Sequence, residues 1–262
     1  ILLKDIPDYL KKKLPVIAIP TTAGTGSEVT QAMVVSEYET KLKSCIFHQD
    51  AFPDVAIIDP CLCLSMPKKL TAATGFDAFC HAFESYFRVE TSALTISLGI
   101  RAMQDILYAL PRLMQDLRDI KLREQMSCAA CCAGMSLANA GAHLPHPLSE
   151  IIGGIREDIP HGVALASVYP QFVAYCAEQE MNKSAQLVRA LDKTAVGSDA
   201  ELAARLPDII QCFLDSIELN VSLQEFHVSE EDKSAMCNHF ILNVLPFADY
   251  TVRRQIMESA FR

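Results

Sequence analysis

A chain of 262 residues, half of them apolar and 21% charged, is long enough to bury a sizeable core, which sets aside the disordered and low-complexity classes. Its net charge of −9, with no basic stripe to displace counterions, argues against a nucleic-acid partner. No apolar run reaches the roughly 18 residues that a membrane span needs, so no membrane partner is expected. The start, Ile1-Leu2-Leu3-Lys4-Asp5-Ile6-Pro7, places charge where a signal peptide is apolar and offers no small-residue cleavage site, so a cytoplasmic protein is expected. The ten cysteines do not form a disulfide or zinc framework: Cys128, Cys131 and Cys132 fall in a helical run of small residues, and the one Cys-x-x-Cys has no second pair. Short basic clusters at Lys11–Lys13 and Lys41/Lys43 read as solvated ends of elements.

In chain order, the first 67 residues hold short β-type runs at 15–19, 33–35 and 55–58, each bounded by turn residues. The first run enters Pro20-Thr21-Thr22-Ala23-Gly24-Thr25-Gly26-Ser27-Glu28-Val29-Thr30, where two glycines permit a tight turn and hydroxyls and amides face a phosphate or ribose. From Met66-Pro67 onward strand signals fade. Apolar residues recur at helical spacing through about 69–87, 92–115, 121–140, 162–178, 182–191, 199–217, 229–243 and 250–261. The reading is an α/β piece at 1–67 followed by an all-helical domain at 68–262.

One set of side chains carries chemistry. Asp77 and His81 are four apart, so a helix presents both on one face. They stand in an otherwise apolar stretch with Phe76, Phe79, Phe83 and Phe87, where unpartnered polar groups cost about 1–3 kcal/mol each. His146 in Leu144-Pro145-His146-Pro147 and His161 in Pro160-His161-Gly162 complete one carboxylate and three imidazoles. Such a donor set leaves a bound divalent ion with net positive charge and open positions, which suits a Lewis acid. His143, three residues before His146, competes for the same role. His48, His227 and His239 have no motif around them and read as structural or surface groups.

Together, the Pro20–Thr30 loop, Pro53-Asp54-Val55-Ala56-Ile57-Ile58-Asp59-Pro60, the Leu70–Glu84 stretch and Pro160-His161-Gly162-Val163-Ala164 resemble the iron-containing (group III) alcohol dehydrogenases in order, composition and spacing. The resemblance implies a partial Rossmann-like nucleotide lobe followed by a helical metal-binding domain, a dehydroquinate synthase-like architecture. It implies Asp77, His81, His146 and His161 as metal ligands, with Fe²⁺ expected and Zn²⁺ also compatible with the donors. It implies Thr21, Thr22, Thr25, Thr30 and Lys43 as residues against NAD or NADP. The activity implied is reversible hydride transfer between that cofactor and a small alcohol or aldehyde, in a parent protein that self-associates as a homo-oligomer.

The sequence departs from that pattern in places. No glycine precedes Gly24, so the family's Gly-rich pyrophosphate loop has no counterpart here. Where many members carry a further histidine four residues after the third ligand, this chain has Glu150, and a proton relay or substrate contact would pass to Glu150 or His143. The Asn-Pro-Arg stretch usual near the C-terminus is not recognisable in 245–250. Three alternatives stay open: an inactive fragment or metal-binding remnant, a hydroxyacid–oxoacid transhydrogenase, and a lyase resembling 3-dehydroquinate synthase.

Overall fold

The computed structural model describes residues 14–262, so the Lys11–Lys13 cluster lies outside the described residues. Strands come first: β1 (Ile17–Ala18), β2 (Ala32–Glu37), β3 (Leu42–Phe47) and β4 (Val55–Ala56). β1 pairs in parallel with β4, with Ile17 opposite Val55. β2 and β3 form an antiparallel hairpin in the register Ala32↔Phe47 to Glu37↔Leu42. Nine α-helices follow among the described residues: α1 (Lys68–Phe87), α2 (Ala93–Leu113), α3 (Ile120–Ala140), α4 (Pro145–Ile155), α5 (His161–Gln179), α6 (Met181–Leu191), α7 (Asp199–Ser216), α8 (Glu230–Cys237) and α9 (Tyr250–Ser259). The order is thus α/β and then all-α, and no described helix is long and apolar enough to cross a membrane.

α1 is the centre of the helical part. Every residue from Gly75 to Phe87 is buried, as expected of a helix that is apolar nearly all round and packs against α2, α3 and α5 together. Phe76, Phe79 and Phe83 pack edge-on or tilted against Tyr169 and Phe172 of α5 and Phe213 of α7, with ring centroids 5.1–6.5 Å apart. Gly75 admits α2, since a Cβ there would lie 2.7 Å from Leu110 Cδ2. Side-chain caps begin most of the surrounding helices: Ser92 accepts from Thr95 N, Asp119 from Lys121 N and Leu122 N, and Ser198 forms a capping box with Glu201.

The joint between strands and helices is anchored by Arg123. Its guanidinium is 1% exposed and donates to Leu117 O, Thr71 Oγ1 and Met66 O, tying the connection before α1 to the start of α3.

Three elements differ from the sequence reading. β3 has weak alternation, and it is the hairpin with β2 that makes it a strand. α4 carries Pro145 and Pro147 in its first turn, where a missing N–H costs little, and Gly153 and Gly154 near its end, so periodicity did not reveal it. The apolar pattern at 229–243 is two elements, because α8 stops at Cys237 and His239 opens a short 3-10 turn at Phe240–Asn243.

Candidate metal centre

Three helices bring three imidazoles around Asp77, and the ligand atoms of Asp77, His146 and His161 all lie within 4.8 Å of one another. Asp77 and His81 lie one turn apart on α1, 4% and 5% exposed. His146 is the second residue of α4, and His161 is the first of α5. Asp77 Oδ1 lies 3.5 Å from His81 Nε2, 3.4 Å from His146 Nε2 and 3.4 Å from His161 Nε2. The His81 and His146 rings stack at 4.7 Å, and those of His146 and His161 sit 5.4 Å apart.

The partners on the far side of two rings fix their tautomers. Glu84 Oε1 lies 2.8 Å from His146 Nδ1, and a carboxylate only accepts, so Nδ1 carries the proton and Nε2 presents a lone pair. Ser149 Oγ donates to His146 O at 2.8 Å, which leaves its oxygen to accept from His161 Nδ1 at 3.2 Å and frees His161 Nε2 likewise. Lone pairs therefore converge on a carboxylate oxygen. Asp77 Oδ1 and His146 Nε2 are buried without a hydrogen-bond partner, an arrangement that is costly unless a cation sits among them. Donors about 2.1 Å from a shared ion in a tetrahedral arrangement lie about 3.4 Å apart, close to the 3.4–3.5 Å that separates Asp77 Oδ1 from each of the three Nε2 atoms. The residues fit a divalent metal.

Electrostatics agree. Burial opposes ionisation of Asp77, but His81, His146 and His161 outweigh it and hold the carboxyl well below the usual range. Burial likewise disfavours charge on His146, yet Glu84 and Asp77 prevail and push it up to about 10, so a metal ion at Nε2 would take the place of a proton held there against Asp77. Burial pushes His81 down to about 4. The pocket draws positive charge.

Glu84 and Ser149 escaped the sequence reading, although Glu84 follows Asp77 by seven and His81 by three and so continues the same helical stripe. Glu84 is fully buried, and its Oε2 also accepts from His143 N at 2.7 Å. Glu84→Gln keeps the shape and removes the charge. It is expected to weaken divalent-metal affinity about 10–100-fold, read by competition with a chromophoric chelator; unchanged affinity would show that the outer carboxylate is idle.

His143 is not among the converging donors. Its Nδ1 accepts from Leu144 N at 2.8 Å and its ring lies against Phe172 and Phe247. Burial, with Arg88 and Lys183 nearby, pushes it down to about 4. The unfolded chain therefore takes up this proton first as pH falls, so the stability present above pH 6.5 is lost between about 6.5 and 4, by roughly 3 kcal/mol. Urea denaturation across that window is expected to show a shallower acid limb for His143→Gln than for the parent chain.

Glu150 lies on α4 and is held above the usual carboxylate range by burial, against the pull of His146, His161 and Lys43. Lys43 reaches across from β3: its Nζ would stand 3.5 Å from a Cβ on Gly153. Gly26, with φ 62°, and Gly134 of α3 meet backbone to backbone, since a Cβ on Gly26 would lie 2.6 Å from Gly134 Cα. That contact seats the Thr21–Thr30 loop on the helical part. Thr21 and Thr25 are exposed on it, Thr22 is half-buried and Thr30 is 3% exposed beneath it. Thr25 Oγ1 and Ser27 Oγ are 2.9 Å apart. His48 and His239 cap short turns through Nδ1, and His227 takes a left-handed conformation at φ 50°.

The profile described as Fe-containing alcohol dehydrogenase family, C-terminal, matches residues 71–258, and that for iron-containing alcohol dehydrogenase matches residues 2–60. The chain belongs to the iron-containing alcohol dehydrogenase family. It is 37% identical over 203 residues to the probable alcohol dehydrogenase EutG of Escherichia coli strain K12, covering 75% of this chain and 51% of that protein. With long-chain-alcohol dehydrogenase 1 of Geobacillus thermodenitrificans strain NG80-2 it shares 33% identity over 98% of this chain and 68% of the relative. Among solved structures, the archaeal halo-thermophilic Red Sea brine pool alcohol dehydrogenase ADH/D1 superposes with a TM-score of 0.90 at 30% identity, over 99% of this chain and 68% of that one. A 1,3-propanediol oxidoreductase superposes at 0.86 and 30%, covering 94% and 66%. The chain spans about half the length of the first relatives it matches.

Proposed function

We propose that this chain is the metal-binding and part of the nucleotide-binding portion of an NAD(P)-dependent alcohol dehydrogenase, acting between a small alcohol and its aldehyde or ketone. The observation that carries the proposal is the approach of the His81, His146 and His161 Nε2 atoms to within 3.4–3.5 Å of Asp77 Oδ1, with Glu84 and Ser149 orienting two of the imidazoles. In this reading those four residues hold the ion, Fe²⁺ by family membership and Zn²⁺ by donor type. When bound, the ion supplies Lewis acidity toward a hydroxyl or carbonyl oxygen.

The chain's own residues do the rest. Residues 68–262 supply the ligands, and residues 1–67 supply what this chain has of the nucleotide-binding lobe. Thr21, Thr22, Thr25 and Thr30 hold the cofactor, together with Lys43, whose side chain lies against Gly153 of α4. Glu150, held above the usual carboxylate range by burial against the pull of His146, His161 and Lys43, accepts the hydroxyl proton. His143 shapes the apolar side of the same region. Among relatives, one is a methanol dehydrogenase using NAD and another a butanol dehydrogenase using NADPH, so either nicotinamide and a short primary alcohol are in keeping with the family.

The test is a fluorescence titration of the anaerobically purified, Fe²⁺-loaded chain with NADH and with NADPH. Saturable binding in the micromolar range, weakened by Lys43→Ala, is the expected result. One equivalent of metal bound with no nucleotide binding would reduce the reading to a metal-binding portion. Absence of metal binding would remove it.

A further inference from the structure

One face of α4 runs from the metal centre to the strands. Glu150, Gly153 and Gly154 follow His146 at four, seven and eight positions, so a helix presents all of them on the same side. At 1.5 Å rise per residue, Gly153 stands about 10 Å along the axis from His146. The far end of this face is bare, and the β2–β3 hairpin occupies it. A Cβ on Gly154 would lie 2.4 Å from Lys41 O and 3.3 Å from Lys43 N, so hairpin main chain rests directly on helix main chain. A Cβ on Gly153 would lie 3.5 Å from Lys43 Nζ and 3.8 Å from Lys43 Cδ, so the lysine side chain crosses the helix at that point.

Two features of the contact point to more than packing. Adjacent glycines weaken a helix, and what this pair permits is the approach of residues 41–43. Lys41, in the turn between β2 and β3, takes a left-handed conformation at φ 53° that few residues other than glycine adopt, and its carbonyl is the group seated on Gly154. Lys43 is half-buried, yet its ammonium makes no hydrogen bond or ion pair among the described residues. A positive charge taken partly out of water without a partner is costly until an anion meets it.

We propose that Gly153 and Gly154 are positioning residues for Lys43: by seating the hairpin on α4 they hold its ammonium about 10 Å along the helix from His146, ready for an anionic nucleotide. That role presupposes the nicotinamide nucleotide proposed above. The two positions act differently. Any Cβ at 154 lifts the hairpin from the helix, whereas a bulky group at 153 leaves the hairpin seated and turns aside only the flexible end of Lys43.

The test uses the full 262-residue chain, loaded with Fe²⁺ under anaerobic conditions and titrated with NADH by fluorescence. Gly153→Leu and Gly154→Ala should each weaken NADH binding about tenfold, with metal affinity and circular dichroism as in the parent. Beside Lys43→Ala neither should cost anything further, because the group they position is gone. Lys41→Asn, which tolerates the left-handed turn, should bind as the parent does. Gly153→Leu carries the test where Gly154→Ala disturbs the hairpin. Losses that persist in full beside Lys43→Ala would overturn the proposal, since the added groups would then be blocking nucleotide or damaging the fold. So would parent-like NADH binding in both folded glycine variants. The ¹³C shift of the reductively methylated Lys43 amine follows its surroundings without any nucleotide. A signal unmoved in both variants overturns the positioning, while a moved signal in a chain that binds metal but no NADH removes the nucleotide reading alone.

Discussion

His161→Ala is expected to strip the protein of its divalent ion while leaving it folded. His161 opens α5 at the rim of the site, and its side chain is 33% exposed against 6% for Asp77, so truncation removes a ligand without leaving a large cavity. Affinity should fall by more than the 10–100-fold that follows loss of an outer-shell partner, and metal-dependent turnover of the complete enzyme should vanish. The thermal midpoint of the metal-free protein should move by only a few degrees, since a partly exposed side chain contributes about 1 kcal/mol or less. Metal content after desalting decides the matter: a variant that retains a full equivalent of Fe²⁺ would remove His161 from the ligand set.

Gly162→Val is expected to do comparable damage without touching a ligand. Gly162 follows His161 at the start of α5, and a Cβ there would stand 2.3 Å from Ala73 O and 2.8 Å from Ala73 Cα on α1. Both obstacles are backbone, so no rotamer change relieves the clash and α5 must move away from α1. Overpacking of this kind costs about 1–3 kcal/mol, and a domain of this size loses about 2–4 °C in midpoint per kcal/mol. His161 moves with its helix, so metal affinity should drop at least tenfold along with the midpoint. Gly153→Ala is the control, because its added methyl meets only the flexible Lys43 side chain at 3.5 Å. Wild-type affinity and midpoint in Gly162→Val would show that the helices are not in contact there.

Much of this was legible in the sequence because the informative residues obey short-range rules. Asp77 and His81 share a helical face by spacing alone, and the apolar periodicity of 69–87 and 92–115 gave α1 and α2 nearly to their ends. What escaped was set by tertiary contact. α4 starts on two prolines and ends on two glycines, so its helicity comes from packing on α5 and β3. Glu84 looked like one more acidic residue until His146 arrived from 62 positions away to meet it. That His146 and not His143 lies beside Asp77 likewise follows from how the start of α4 is set against α1, which no count of residues along the chain determines.

The glycine contacts have a mechanical consequence. Gly26 rests on Gly134, Gly24 lies against Thr74 of α1, whose carbonyl oxygen would stand 2.6 Å from a Cβ there, and Gly154 admits Lys41, whose carbonyl oxygen would stand 2.4 Å from a Cβ there. At three points, then, the strand-bearing part and the helical part meet main chain to main chain, where there is little side chain to compress or swing. The distance from the Thr-rich loop to the Asp77 cluster is thereby gauged by backbone thickness, and any residue larger than hydrogen at one of these points acts as a shim that resets it.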